Sequence, residues 1–269
     1  MTCNIETVLD WRSEEKVINE VADYSSHIFD NDFRIHLSNN IDYCYSDNLD
    51  YLPDESYFLE FMDSFRKYYT SIKAFHGCRP LSLKPYYAHG ILGQDKKKIE
   101  SMFYEIFSEF DTAELKDCIE NYNSGSLDEE GKIFFVCNDK ELIEDSGHYL
   151  IQGSEHLQGL ATSLSRKTGL WCDYKLRLRA VGIPTILEVD IPTGIIPEIQ
   201  IIDFCRLILS KWCNNILGAE NHYSDMCLTL TNKLSPEYIK KHYHPKRIID
   251  PHNSHVPYIS KHTHCDMCG

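Results

Sequence analysis

The chain has 269 residues, a formal net charge of −14 and an apolar content of 42%, enough to bury the core of one large domain, or of a domain with an appendage, and too much for a disordered chain. With 27 Lys and Arg against 41 acids, a strong sequence-independent hold on nucleic-acid phosphates is excluded. No stretch approaches the roughly 18 apolar residues of a membrane helix and the first residues lack a signal-peptide pattern, so a cytoplasmic protein with no membrane partner is expected, its scattered cysteines reduced and mostly buried.

In chain order, Val8, Trp11, Val17, Ile18 and Val21 have a loosely helical spacing, and the Asn-, Asp- and Tyr-rich stretch that follows has little period. Residues 1–63 hold fifteen acids against three bases. They read as a solvated helical surface, or as a surface for a basic, regulatory or antitoxin-like partner. From Pro53 to about residue 70 the spacing of Phe58, Phe61, Phe65 and Tyr69 predicts a helix. "IKAFHGC" reads as a short strand, and "LSLKPYYAHGIL" as a turn and short helix stopped by Gly90. Ile99, Met102, Phe103, Ile106, Phe107 and Phe110 predict a second amphipathic helix, and "DTAELKDCIENYN" a third opened by an acidic cap.

"SGSLDEEG" is a loop by composition and "KIFFVC" a buried strand. "HYLIQ" reads as extended or irregular, with a helix from the N-cap Ser154 to Gly169. "LWCDYKLRLR" and "PTILEVDIP" are predicted strands. Ile201 to Leu217 form a heavily apolar helix ending at Gly218, "DMCLTLTN" an alternating strand, and "LSPEYIKKHYHP" a turn and short helix. Short strands mixed with four to six helices make an α+β pattern.

A strand ending in His76-Gly77 sets an imidazole at a sheet rim, followed by a residue without a Cβ where a flat ligand can approach the backbone. A structural histidine capping the strand is the plain alternative. "FHGCR" followed by a short helix ending "YYAHGIL" resembles the first strand and helix of ADP-ribosyltransferases, in particular the His-Tyr-Glu group that includes poly-ADP-ribose polymerases and DNA-modifying bacterial toxins. The resemblance implies a split mixed or antiparallel sheet with surrounding helices. It gives His76 a ribose hydroxyl of NAD and Gly77 the nicotinamide amide.

"EEGKIFFVCNDKEL" resembles the group's second landmark with Phe134 in the place of the stacking Tyr; Tyr149 in "GHYLIQGSE" is the other candidate, and Ser154 lies in the same stretch. "YSDMCLTLTNKLSPEYI" resembles the third and puts Asp225 in the place of Glu, one methylene short, which leaves Glu155 as the alternative carboxylate. Cleavage of the NAD glycosidic bond makes a cation-like ribose, so a carboxylate aimed at it lowers the barrier. Arg79 suits the pyrophosphate. The implied reaction is transfer of ADP-ribose from NAD to a macromolecular acceptor, protein or nucleic acid, with a toxin or phage-defence role by analogy.

The tail carries a different chemistry. Seven of the thirteen histidines lie after residue 220, and "HTHCDMCG" sets His262, His264, Cys265 and Cys268 within seven residues. Cys-x-x-Cys with nearby His is zinc-ligand chemistry, and one such pair is half a site. All four terminal residues bind one ion if the chain turns tightly, or His242, His244, His252 or His255 completes the set; an untethered terminus is the alternative. The expected organisation is an acidic helical segment 1–70, a catalytic region 71–250 interrupted by a helical insertion at about 198–217, and a tail 251–269.

Overall fold

The computed structural model describes residues 7–125, 129–169, 173–231 and 233–268. Its strands are β1 (Val8–Leu9), β2 (Ser71–Cys78), β3 (Ile91–Leu92), β4 (Lys132–Val136), β5 (Thr185–Pro192), β6 (Cys227–Thr231), β7 (Lys233–Leu234), β8 (Ile239–Tyr243), β9 (Arg247–Asp250) and β10 (Val256–Ile259). Its helices are α1 (Glu14–Asn19), α2 (Val21–Ser25), α3 (Asn31–Asn40), α4 (Glu55–Tyr68), α5 (Lys84–His89), α6 (Lys96–Ile106), α7 (Thr112–Asn123), α8 (Asp139–Glu144), α9 (His148–Gln152), α10 (Glu155–Lys167), α11 (Lys175–Leu178) and α12 (Glu198–Leu217).

The main sheet has the order β6-β4-β2-β5-β8, with β1 parallel to β2. Strand β2 is antiparallel to β4, with Phe75 opposite Val136, and β5 is antiparallel to β8. Two further antiparallel pairs are β9 with β10 and β3 with β7. The class is therefore α+β, as the alternation of short strands and amphipathic helices requires. No helix among the described residues is long and apolar enough to cross a membrane. All nine described cysteines are free thiols, and six of them are buried.

The chain groups into two compact units: residues up to Ala74 with Asp190–Leu228, and Phe75–Val189 with the residues from Thr229 onward. In the first, α12 is the centre. Its buried residues include Ile201, Phe204, Ile208, Leu209 and Trp212, and from Ile208 to Asn214 they run around the helix rather than along one stripe, the mark of a helix enclosed over those turns. Phe29 and Phe33 of the acidic front lie 5.0 and 6.3 Å from the Trp212 ring, and Trp11 6.3 Å from Phe204. The front segment thus folds its apolar residues onto α12 and leaves Glu15, Asp23, Asp32, Glu55 and Glu60 exposed. The helix that reads along the sequence as an insertion into the catalytic region is the core of the acidic unit.

In the second unit α6, α7, α10 and α11 share one core around Phe103, Phe107, Leu115, Leu160 and Tyr174. A second core joins Phe75 of β2, Leu142 of α8, Leu150 and Ile151 of α9, Ile186 of β5 and Ile248 of β9. Gly90 ends α5 at a φ of 86°, and a Cβ there would stand 2.0 Å from the Leu234 carbonyl oxygen. Only glycine lets β3 reach β7.

Five expectations are corrected. Val8 and Leu9 form a strand because β2 offers them a ladder, so the opening is not wholly helical. "HYLIQ" is helix α9. Of "LWCDYKLRLR", residues 170–172 lie outside the described residues, as do 126–128 of the loop "SGSLDEEG", and Lys175–Leu178 are helical; their alternation serves one buried residue, Leu178, beside the α10 core. "LSPEYIKKHYHP" makes a single tight turn at Pro236–Tyr238 and then strand β8, which β5 recruits. The tail is built into the second unit, with β10 paired to β9.

Candidate functional site

Strand β2 carries His76 and Gly77 near its end. Strand side chains alternate between faces, and Phe75 belongs to the core under α8 and α9. Gly77 is on that same face: a Cβ there would meet the Leu142 Cδ2 at 3.0 Å and the Leu150 Cδ2 at 3.5 Å. The space left by the missing side chain is filled by two leucines. His76 points to the opposite face, with its ring 5.6 Å from Phe135. Its Nδ1–H donates to the Phe134 carbonyl at 2.9 Å, since a carbonyl only accepts, and burial holds the imidazole below its ordinary pKa. His76 is thereby a neutral tie between β2 and β4.

Arg79 is 9% exposed. Its guanidinium donates to the carbonyls of Val181 at 2.7 Å and Leu150 at 2.9 Å, and also to that of Arg179. Three donors of the fork go to backbone carbonyls and hold the chain around it, which is where the structure places the arginine expected at a pyrophosphate.

Phe134 alternates out of the core between buried Ile133 and Phe135, at 47% exposure. It is not a core residue of a fully buried strand, and it lies on the opposite face of the sheet from His76. Asp225 is exposed and precedes β6 in the first unit, whereas His76, Phe134, Tyr149 and Glu155 belong to the second.

Tyr149 and Glu155 come together. Ser154 caps α10, its Oγ accepting from Leu157 N at 3.4 Å, which sets Glu155 in the first turn. The Tyr149 hydroxyl donates to Glu155 Oε1 at 2.9 Å, and His148 Nε2 lies 3.4 Å from the same oxygen. The His148 ring is 4.1 Å from Tyr149 and 4.8 Å from His252, nearly parallel to the latter. Burial and the neighbouring His252 depress the His148 imidazole, and its Nδ1 is buried without a hydrogen-bond partner among the described residues. Burial therefore favours neutral His148 beside an exposed, oriented carboxylate. His148 and His252 have no part in the linear reading of this stretch. Their stacking is a tertiary contact across 104 residues, with no sequence signal to find it.

A second cluster belongs to the same unit. The ligand atoms of His242, His244, Cys265 and Cys268 all fall within 4.8 Å of one another. Cys265 Sγ is 3.5 Å from His242 Nε2 and 3.6 Å from Cys268 Sγ, and Cys268 Sγ is 3.7 Å from His242 Nε2. His242 is in β8 and His244 directly follows the strand, and their ligand nitrogens converge on the two sulfurs. His262 and His264 remain outside the group, and the His264 ring bonds its neighbour Thr263 at 3.1 Å. Of the tail's candidate ligands, the cysteines are gathered and the histidines are not; two of the alternatives, His242 and His244, take their place.

No protein-family model, no curated protein and no solved structure matches the chain.

Proposed function

We propose that the protein transfers ADP-ribose from NAD to a macromolecular acceptor, releasing nicotinamide. The observation that carries this reading is the strand order. The three strands that the sequence resemblance assigns to the histidine, the aromatic and the acid, β2, β4 and β6, are consecutive neighbours in one sheet, β6-β4-β2. Strands separated by more than fifty residues are under no local compulsion to pair in that order.

The placement of side chains narrows the roles. Within the second unit Tyr149 and Glu155 form the aromatic and carboxylate pair, and the hydrogen bond between them orients the carboxylate. In this reading Glu155 faces the cation that develops as nicotinamide leaves, and an exposed carboxylate held in one direction before reaction stabilises that charge without reorganising. The Tyr149 ring supplies a stacking surface for nicotinamide. The His76 imidazole, tied to Phe134 on the other face, secures the sheet rather than the ribose.

The test is incubation of the purified chain with NAD labelled in its adenylate part and a cell lysate, followed by nuclease or protease. Label that resists one treatment and not the other names the acceptor class. Nicotinamide release with no labelled macromolecule makes water the acceptor and the protein an NAD glycohydrolase. NAD left intact overturns the reading. Glu155→Gln abolishes turnover if the carboxylate is correctly assigned, and loss in Asp225→Asn with retention in Glu155→Gln transfers the role to Asp225.

A further inference from the structure

We propose that His242, His244, Cys265 and Cys268 bind one zinc ion in a closed structural site that fastens the tail to β8 and to the turn before α5. Zinc bonded tetrahedrally at ~2.3 Å to sulfur and ~2.0 Å to nitrogen holds two sulfurs ~3.8 Å apart and a sulfur and a nitrogen ~3.5 Å apart. The separations in the structure are 3.6 Å between the sulfurs and 3.5 and 3.7 Å from them to His242 Nε2. Two thiolates and two imidazoles are the donor set that a borderline-soft divalent cation takes in preference to magnesium or calcium.

A network of thiol and imidazole hydrogen bonds would give similar sulfur to nitrogen distances, and His244 decides against it. Its Nδ1 lies 3.0 Å from the Pro184 carbonyl, which only accepts, so Nδ1 carries the proton and Nε2 presents a lone pair. That Nε2 is buried and has no hydrogen-bond partner among the described residues. Leaving a buried polar atom unpaired costs about 1–3 kcal/mol, and a cation among the four ligand atoms removes the deficit. His242 is arranged in the same way, with Nδ1 bonded to the Tyr87 hydroxyl at 2.8 Å and Nε2 turned to the sulfurs. Fixing the distal nitrogen of each imidazole by a second partner is how metal-ligating histidines are oriented.

The cysteine turn is shaped for thiolates. Met267 N–H donates to Cys265 Sγ at 3.3 Å and Cys265 N–H to Cys268 Sγ at 3.5 Å, so backbone donors face both sulfurs. Between the two cysteines Asp266 accepts from the Ser82 hydroxyl at 2.5 Å and from Leu83 N at 3.1 Å, which holds the turn against the segment that opens α5. Four protein ligands leave no position for substrate or water, the condition of a structural rather than a catalytic ion.

The experiment is elemental analysis of the full chain purified after expression with zinc chloride. About one zinc per chain is expected, near zero in Cys265→Ser/Cys268→Ser and in His244→Ala, and the wild-type value in His262→Ala/His264→Ala. Where a ligand variant does not fold, cobalt(II) titration of the demetallated wild-type chain replaces it, with one equivalent bound and a sulfur-to-cobalt charge-transfer absorption expected. Wild-type protein with less than about a tenth of an equivalent of zinc and no such absorption overturns the proposal. So does equal metal loss in the His262/His264 variant.

Discussion

The His/Cys group and the Tyr149/Glu155 pair sit in the same unit and are held by opposite means. Every ligand of the first is oriented by a partner behind it: Tyr87 behind His242, Pro184 behind His244, and backbone amides on both sulfurs. In the second, Tyr149 and His148 both reach one oxygen of an exposed carboxylate at the start of a helix. The difference separates a site whose ligands converge on a shared centre from one that presents a charge outward. On the two proposals, the first would contribute to folding and the second to chemistry on something bound from outside.

If the His/Cys group holds zinc as proposed, removing the metal should give the largest effect. A structural ion that binds the folded chain and not the unfolded one adds RT ln(1 + [L]/Kd), about 4 kcal/mol at a thousandfold excess over Kd. A chelator is therefore expected to lower the melting temperature by several degrees or more, restored by added zinc, and to leave Glu155→Gln as sensitive as wild type. A melting temperature indifferent to chelator would erase the distinction between the two sites.

Next in size is Arg79→Met. It leaves one buried and two partly buried carbonyls without their donor and is expected to destabilise the second unit by about 3 kcal/mol, read by urea denaturation. Arg79→Lys should recover little, because an ammonium cannot reproduce the planar fork. Were Arg79 instead a phosphate ligand, both variants would fold normally and lose NAD affinity.

Glu155→Gln reverses that pattern. Its melting temperature is expected to match wild type, while NAD turnover falls by roughly a hundredfold or more. An unchanged rate would leave the pair as helix-end decoration.

The smallest effect is a pH dependence. His156 is buried, burial lowers its pKa, and its Nε2 lacks a hydrogen-bond partner. A depressed folded-state value means that the unfolded chain binds the proton more readily, so stability is retained above the unfolded value of 6.5 and lost as pH falls through the window below it. His156→Gln is expected to flatten the fall in urea stability between wild type at neutral and at mildly acidic pH. Parallel curves for the two proteins would assign the acid sensitivity elsewhere, with His76 the next candidate because its pKa is lowered by the same cause.

Much of the fold was legible in the sequence wherever a periodic apolar pattern met a cap. The residues at 58, 61 and 65 did predict α4, Ser154 did cap α10, and Gly90 and Gly218 did stop their helices. Where neither pattern nor cap was decisive, tertiary partners chose. Residues 239–243 became a strand because β5 was free to pair with them, and "HYLIQ" became a helix because Leu150 and Ile151 fill the core against Phe75 and Leu142. Among the site residues, Cys265 and Cys268 were readable from their spacing. His242 and His244 were readable only as possibilities, more than twenty residues from the cysteines they join.

The sequence by itself determined the α+β class, the main helices and the kinds of side chain available for chemistry, because these follow from periodicity, capping and composition over a few neighbouring residues. The tertiary structure alone decided that α12 belongs to the acidic unit, that Arg79 serves backbone carbonyls, that His76 turns away from Gly77 and Tyr149, and which histidines meet the tail's thiols. Each of those outcomes depends on which face of a strand packs inward and which distant segments it meets, and no local stretch of chain carries that information.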